Sequence, residues 1–209
     1  MSSARMIDLS PELPDEDLRT RSLAESGQRT VLDHDELNIA QALLEGDAHA
    51  AIAACARVHG AAIGRLCFLL LGAQSEADEA AQETMLAAYH AASSYRGEGP
   101  ARAWLFGIAR RVCAQRLVVR ERQARRRVLL GDDGARGVDA SELHDEKERE
   151  ANVRAALAGL PQTDRELLAL RFEGEQSFRD IADSLGIDEA TARKRVGRAL
   201  ARLRERVTR

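Results

Sequence analysis

The sequence predicts an all-α chain: two small helical domains joined by a flexible linker, the second a helix-turn-helix. Three observations carry that expectation. Apolar residues recur at three- and four-residue steps from Asp35 to Val119 and again from Ala151 to Val207. Between these stretches the chain passes from basic to acidic around Gly131, Gly134 and Gly137, and the period is lost. The last stretch holds a Gly-centred break and then a long basic helix, FRDIADSLGIDEATARKRVGRALARLRERV from Phe178 to Val207.

Composition points the same way. Aromatic residues make up only 3% of the chain, and Ala, Leu, Arg and Glu dominate, which favours helix over sheet. The N-terminus MSSARMIDLSPELPDEDL lacks the apolar core of a secretory signal, and no run approaches the length of a membrane span. A soluble cytoplasmic chain without membrane insertion is expected. Cys55, Cys67 and Cys113 are odd in number and lack CxxC spacing, so reduced thiols are expected.

The net charge of −3 hides strong segregation. Between Arg96 and Arg127 ten Arg stand against Glu98 and Glu121, and from Glu189 onward eight Lys or Arg stand against Glu189 and Glu205. Two separate cationic blocks suggest two contacts with a polyanion.

Residues 1–34, with Pro11, Pro14 and scattered acids, read as a flexible extension. From Asp35 helices are expected, with Leu37, Ala40 and Leu44 on one stripe and Ala48, Ile52, Cys55, Val58, Ala62 and Leu66 on the next. Gly46-Asp47 separates the two, Asp47 caps the second, and Gly72 closes it. Ser75 is placed to cap an acidic helix that buries Ala77, Ala80, Thr84 and Ala88 with Met85 and Leu86 alongside, and exposes Asp78, Glu79, Gln82 and Glu83. Ser93 to Pro100 reads as a cationic loop. A long helix follows from near Ala101, carrying Trp104, Leu105, Ile108, Val112, Gln115 and Val119 among its Arg residues. After a linker over 121–150, Val153, Leu157 and Leu160 make a helix that stops at Pro161. Thr163 is placed to cap the next, which buries Leu167, Leu168 and Leu170. Gly186 closes the first helix of the helix-turn-helix, and Asp188 caps the second, whose inner stripe is Ala192, Val196, Ala199, Leu203 and Val207.

The chemistry legible here is that of binding. No Ser–His–Asp arrangement, Gly-rich phosphate loop or HExxH motif occurs, so no catalytic site and no cofactor are expected. Cys55 and His59 lie one helical turn apart, but small apolar cores use Cys freely, and no metal is expected there. On the final helix, Thr191, Arg193, Lys194, Arg195, Arg198 and Arg202 are the candidate readers of duplex DNA.

Four pieces occur in order at fitting distances: Gly46, Asp47 and Ala50; then ADEAAQETM from Ala77 to Met85; then WLFGIARR from Trp104 to Arg111; then LPQTDRELLALRF running into DIA, LGI and TARKRV. In this order the chain resembles the extracytoplasmic-function sigma factors of bacterial RNA polymerase, from about Leu37 to Arg206. The resemblance implies a region 2-like domain at 35–120, the linker at 121–150 and a region 4-like helix-turn-helix domain at 151–209. It implies that Asp78, Glu79, Gln82 and Glu83 dock on core polymerase. It further implies that Tyr95, Arg96, Gly97, Arg102, Trp104, Arg110 and Arg111 hold the melted proximal promoter element as a single strand. That role wants cations along phosphates and a loop able to wrap a base, which these residues supply. Trp104 shares a stripe with Ile108 and reads as core as well, while Tyr95 fits either role. Promoter DNA and an anti-sigma factor are the further partners implied. The competing reading is a stand-alone helix-turn-helix regulator whose N-terminal helices dimerise or sense.

Overall fold

The structure is a computed structural model that describes residues 26–129 and 155–207. Among these residues every regular element is helical. In order they are α1 (Ser26–Leu44), α2 (Ala48–Leu71), α3 (Gln74–Ala91) with a 3-10 turn at Ala92–Ser94, and α4 (Ala101–Leu129). A helical turn at 155–158 follows, then α5 (Gln162–Leu168) running into a π-helical turn at Ala169–Glu173, α6 (Phe178–Leu185) and α7 (Glu189–Val207).

Local chemistry sets most of these ends. Asp47 Oδ1 accepts from the Ala50 amide at 3.0 Å and so starts α2, and Gly72, at φ 85°, closes it in the left-handed region open to glycine. Two expected caps are displaced. The residue before α3 is Ala73, which has no side chain to cap with, and Ser75 lies inside the first turn; likewise α5 starts at Gln162 behind the extended Pro161, with Thr163 already inside. The cap that was not anticipated belongs to α6. There Ser177 Oγ accepts from the Asp180 amide while the Asp180 carboxylate accepts from the Ser177 amide, a complete capping box.

Two boundaries also shift. Helix α1 starts at Ser26 rather than Asp35, and α4 runs on to Leu129, so 121–129 are helical, supported by an Arg125–Glu121 pair at 2.6 Å. Residues 1–25 of the expected extension and 130–154 of the expected linker lie outside the described residues.

Helix α2 lies at the centre. By length and composition it could cross a membrane, yet it buries Ile52, Cys55, Ile63, Leu66 and Leu70 against its neighbours as a core helix. Helix α1 packs on it through Ile39 and Leu43, whereas Leu37 and Leu44 of the expected stripe are 68% and 60% exposed. Both pairs have helical spacing, so the period alone did not choose between the two faces. Leu86 is likewise 59% exposed rather than packed beside the α3 core stripe.

One apolar core runs through both halves of the chain: Leu167, Leu170, Ile181, Ala192 and Val196 join Ile63, Leu66, Leu105 and Phe106. Phe106 is fully buried, a contribution of about 1.5–3 kcal/mol. A second cluster of Leu157, Leu160, Leu168, Ala199 and Leu203 fixes α7 against α5.

Candidate nucleic-acid interface

The α3 surface is less acidic in effect than in sequence. Asp78, Glu79, Gln82 and Glu83 are all exposed, but Arg116 of α4 donates to Glu79 at 3.0 Å and to Glu83 at 2.8 Å. Those two carboxylates push the Arg116 guanidinium above its ordinary value. Arg120 meets Glu76 at 3.2 Å and the Leu71 carbonyl at 2.9 Å. Asp78 accepts from Gln74 at 2.7 Å, and among the described residues no cation pairs with it. Asp78, Gln82, Leu86 and Tyr89 follow one another at helical steps, so α3 presents an acid, an amide and two exposed apolar side chains together.

The loop between α3 and α4 is closed by its own contacts. The Tyr95 hydroxyl donates to the Gly99 carbonyl at 2.7 Å, and its ring meets Trp104 edge-on at 5.7 Å. Gly97 sits at φ 73°, a conformation glycine adopts without strain, beside Leu44 of α1. Arg96 and Arg111 are exposed, and Trp104 is partly buried. Beneath the loop lies a residue that sequence reasoning missed. Glu36 of α1 accepts from the Arg102 amide at 2.5 Å through one oxygen and meets His59 Nε2 at 3.0 Å through the other. Nothing in the local sequence marks Glu36, because its partners are 23 and 66 positions away.

Arg102 and Arg110 are half-buried and engaged by the C-terminal half. Arg102 donates to Glu175 at 3.0 Å and to the Glu173 carbonyl at 2.9 Å, and Arg110 donates to Glu166 at 3.0 Å and to the Ser184 carbonyl at 2.9 Å. Arg65 of α2 adds a bond to Glu173 at 2.5 Å. The receiving segment is irregular. The π-helical turn ends at Gly174, and Glu175 stands at φ 46°, a strained conformation for a residue other than glycine. Gln176, 3% exposed, leaves both polar side-chain atoms without a hydrogen bond.

On α7 the expected readers fall into two groups. Lys194, Arg195 and Arg198 are exposed. The others have partners within the protein, Arg193 and Arg202 being exposed as well: Thr191 donates its hydroxyl to Asp188 at 2.6 Å and Arg202 meets Asp164 at 2.5 Å. Arg193 pairs with Glu189 at 3.2 Å and stacks 4.6 Å over Phe178, whose ring also meets Arg171 at 4.9 Å. The two bonds from Thr191 hold the Asp188 carboxyl below its ordinary value. Arg195, Arg198 and Arg202 line a cleft of about 280 Å³ together with Asp164 and Glu166.

The cysteines serve the core. Burial, with Glu36 nearby, pushes the Cys55 thiol up to about 12, and Cys67 and Cys113 are buried against each other between α2 and α4. His59 is taken by Glu36, and among the described residues no group of three His, Cys, Asp or Glu is arranged to hold a metal.

With this geometry in place, similarity to known proteins is specific. Residues 56–123 match the family model of Sigma-70 region 2, and residues 150–203 that of Sigma-70, region 4. The chain is 32% identical over 150 residues to the ECF RNA polymerase sigma factor SigL of Mycobacterium tuberculosis, an alignment spanning 70% of this chain and 82% of the relative. It is 33% identical over 136 residues to the RNA polymerase sigma-H factor of Pseudomonas aeruginosa, spanning 59% of this chain and 69% of that one. The fold is shared with the sigma factor RpoE crystallised with the anti-sigma factor NepR from Bartonella quintana, at TM-score 0.57, 22% identity, and coverage of 73% and 94% of the two chains. It is also shared with CnrH in complex with the cytosolic domain of CnrY, at TM-score 0.58, 22% identity, and coverage of 81% and 94%. The helical architecture, the two matched regions and the level of identity to SigL together make this chain a member of the ECF sigma factors, which bind RNA polymerase and direct it to promoters.

Proposed function

We propose that the chain divides this work between its two halves, up to about Arg120 and from about Ala151, and that it does so by binding alone. The α3 face of Asp78, Gln82, Leu86 and Tyr89, with Glu79 and Glu83 at its edge, docks on core polymerase. The loop residues Tyr95, Arg96 and Gly97, with Arg102, Trp104, Arg110 and Arg111 of α4, take the melted proximal element as a single strand, cations meeting phosphates and rings meeting bases. Lys194, Arg195 and Arg198 read the distal element in the major groove, with Thr191, Arg193 and Arg202 shaping the helix that presents them. Bond making is left to the polymerase, and the site of action is the cytoplasm. An anti-sigma factor is the natural antagonist, a reading supported by the solved sigma factor RpoE, which was crystallised with the anti-sigma factor NepR.

The observation that carries this division is the split between engaged and open cations. In the free chain Arg102 and Arg110 are held by Glu175, Glu166 and two backbone carbonyls, while the α3 face and Lys194, Arg195 and Arg198 remain open. Docking on polymerase therefore comes first, and separation of the halves then releases Arg102 and Arg110 to DNA. The strained Glu175 and the unsatisfied Gln176 favour that separation, since the first can then relax its backbone and the second can hydrogen-bond to water. Co-purification with core polymerase tests the docking face. Replacing Asp78, Glu79 and Glu83 together by Ala should abolish recovery of the complex, and normal recovery would refute the assignment.

A further inference from the structure

We propose that Glu36 is a positioning residue for promoter opening, fixing the start of α4 and with it the loop that captures the melted strand. This rests on the proximal-element reading above and names a residue that precedes the stretch matching the region 2 family model.

The need arises from the sequence at the head of α4. The first helical amides, those of Ala101, Arg102 and Ala103, have no partner one turn earlier, and such ends are ordinarily closed by a side-chain oxygen at the residue before the helix. Here the preceding residues are Gly99 and Pro100, which have none. Glu36 supplies the missing acceptor from another helix, its carboxylate also complementing the positive end of the α4 dipole. Its second oxygen is held by His59, a buried side chain of α2 that fixes the direction of the carboxylate. Three helices are thereby tied at one point.

The tie bears on the loop. Glu36 lies close enough to Tyr95 that its charge, after burial, contributes to raising the phenol above its ordinary value, and the phenol donates to Gly99. Tyr95 in turn packs on Trp104 in the first turn of α4. With the Arg102 amide occupied and a carboxylate seated at the helix terminus, phosphate is repelled there, and strand capture falls to the side chains of the loop and of α4. If the head of α4 frays, Tyr95, Trp104 and Arg102 lose their common frame together, and the loop must be ordered at the moment of capture.

The test uses holoenzyme reconstituted with core polymerase, on a duplex promoter recovered from a random pool by the wild-type chain. Strand opening is read from permanganate reactivity of unpaired thymines. Glu36→Ala should slow opening about tenfold, in keeping with the loss of one helix cap. Glu36→Asp keeps the charge but is one methylene too short to bridge both groups, and should be slow as well. Glu36→Gln keeps the reach and the acceptor, His59 Nε2 accepting in its other tautomer, and should open within about threefold of wild type. All three should keep polymerase association and duplex binding. If Asp opens like wild type while Gln is slow, charge rather than position matters and the proposal fails. If every Glu36 variant opens normally while Arg96→Ala is slow, the proposal fails but the loop reading stands. If Tyr95→Ala and Arg96→Ala also open normally, both fail.

Discussion

Arg110 of α4 joins the two halves of the chain through Glu166 of α5, at 3.0 Å, with its second amino group on the Ser184 carbonyl of α6. The same guanidinium is a proposed phosphate contact, so closure of the chain and capture of DNA compete for one side chain.

Weakening that closure should be visible without DNA. Each cross-boundary pair is partly solvated and is worth about 1 kcal/mol or less. Glu166→Gln combined with Glu175→Gln should shift the free chain toward separated halves. Small-angle scattering should then report a larger radius of gyration than for wild type, whereas an unchanged radius would mean that the shared apolar core, not these pairs, keeps the halves together.

Two glycines, one in the helix-turn-helix and one in α2, give a pair of opposite signs. Gly186 stands at φ 64° with open space around its Cβ position, so Gly186→Ala costs only the left-handed penalty, about 1–2 kcal/mol. Gly60 lies within α2, is not left-handed, and has equally open space, so Gly60→Ala should stabilise by roughly 0.5–1 kcal/mol. Thermal denaturation should move the midpoint down for the first and up for the second.

Glu36 should also mark the acid limb of stability. Burial raises its carboxyl, but the bonds to His59 and to the Arg102 amide outweigh this and hold it below the ordinary 4.5. A folded value below the unfolded one means that the stabilisation is complete above the unfolded value and is lost as pH falls through the folded value. Denaturant midpoints for wild type and Glu36→Gln should therefore differ most near neutrality and converge as pH drops below about 4. A constant gap would show that the carboxylate charge contributes nothing.

The helix-turn-helix was legible because its signals are local: Gly186, Asp188 and the stripe from Ala192 to Leu203 all act within a few residues. The α1 face was not, because Leu37/Leu44 and Ile39/Leu43 have equally good helical spacing and only the packing on α2 decides between them. The contact between the halves escaped for a different reason. Arg102 and Glu175 are 73 positions apart, and in sequence each reads as one more solvated charge. Arg202 has the same kind of distant partner in Asp164, 38 positions away, whereas the Arg193–Glu189 pair is one helical turn and open to view in the sequence. The resemblance placed residue types on the right elements, but which cations are open depends on partners that only folding brings together.

Run-off transcription by purified core polymerase on a pool of random upstream sequences tests the central claim most directly. Transcripts should appear only when this chain is added and should come from templates sharing two motifs at a fixed spacing. With Arg195→Ala and Arg198→Ala together, enrichment of the upstream motif should fall at least tenfold, each lost base contact being worth about 1–3 kcal/mol, while polymerase association persists. Transcription independent of the chain, or unchanged selection of the upstream motif by the double variant, would contradict the account.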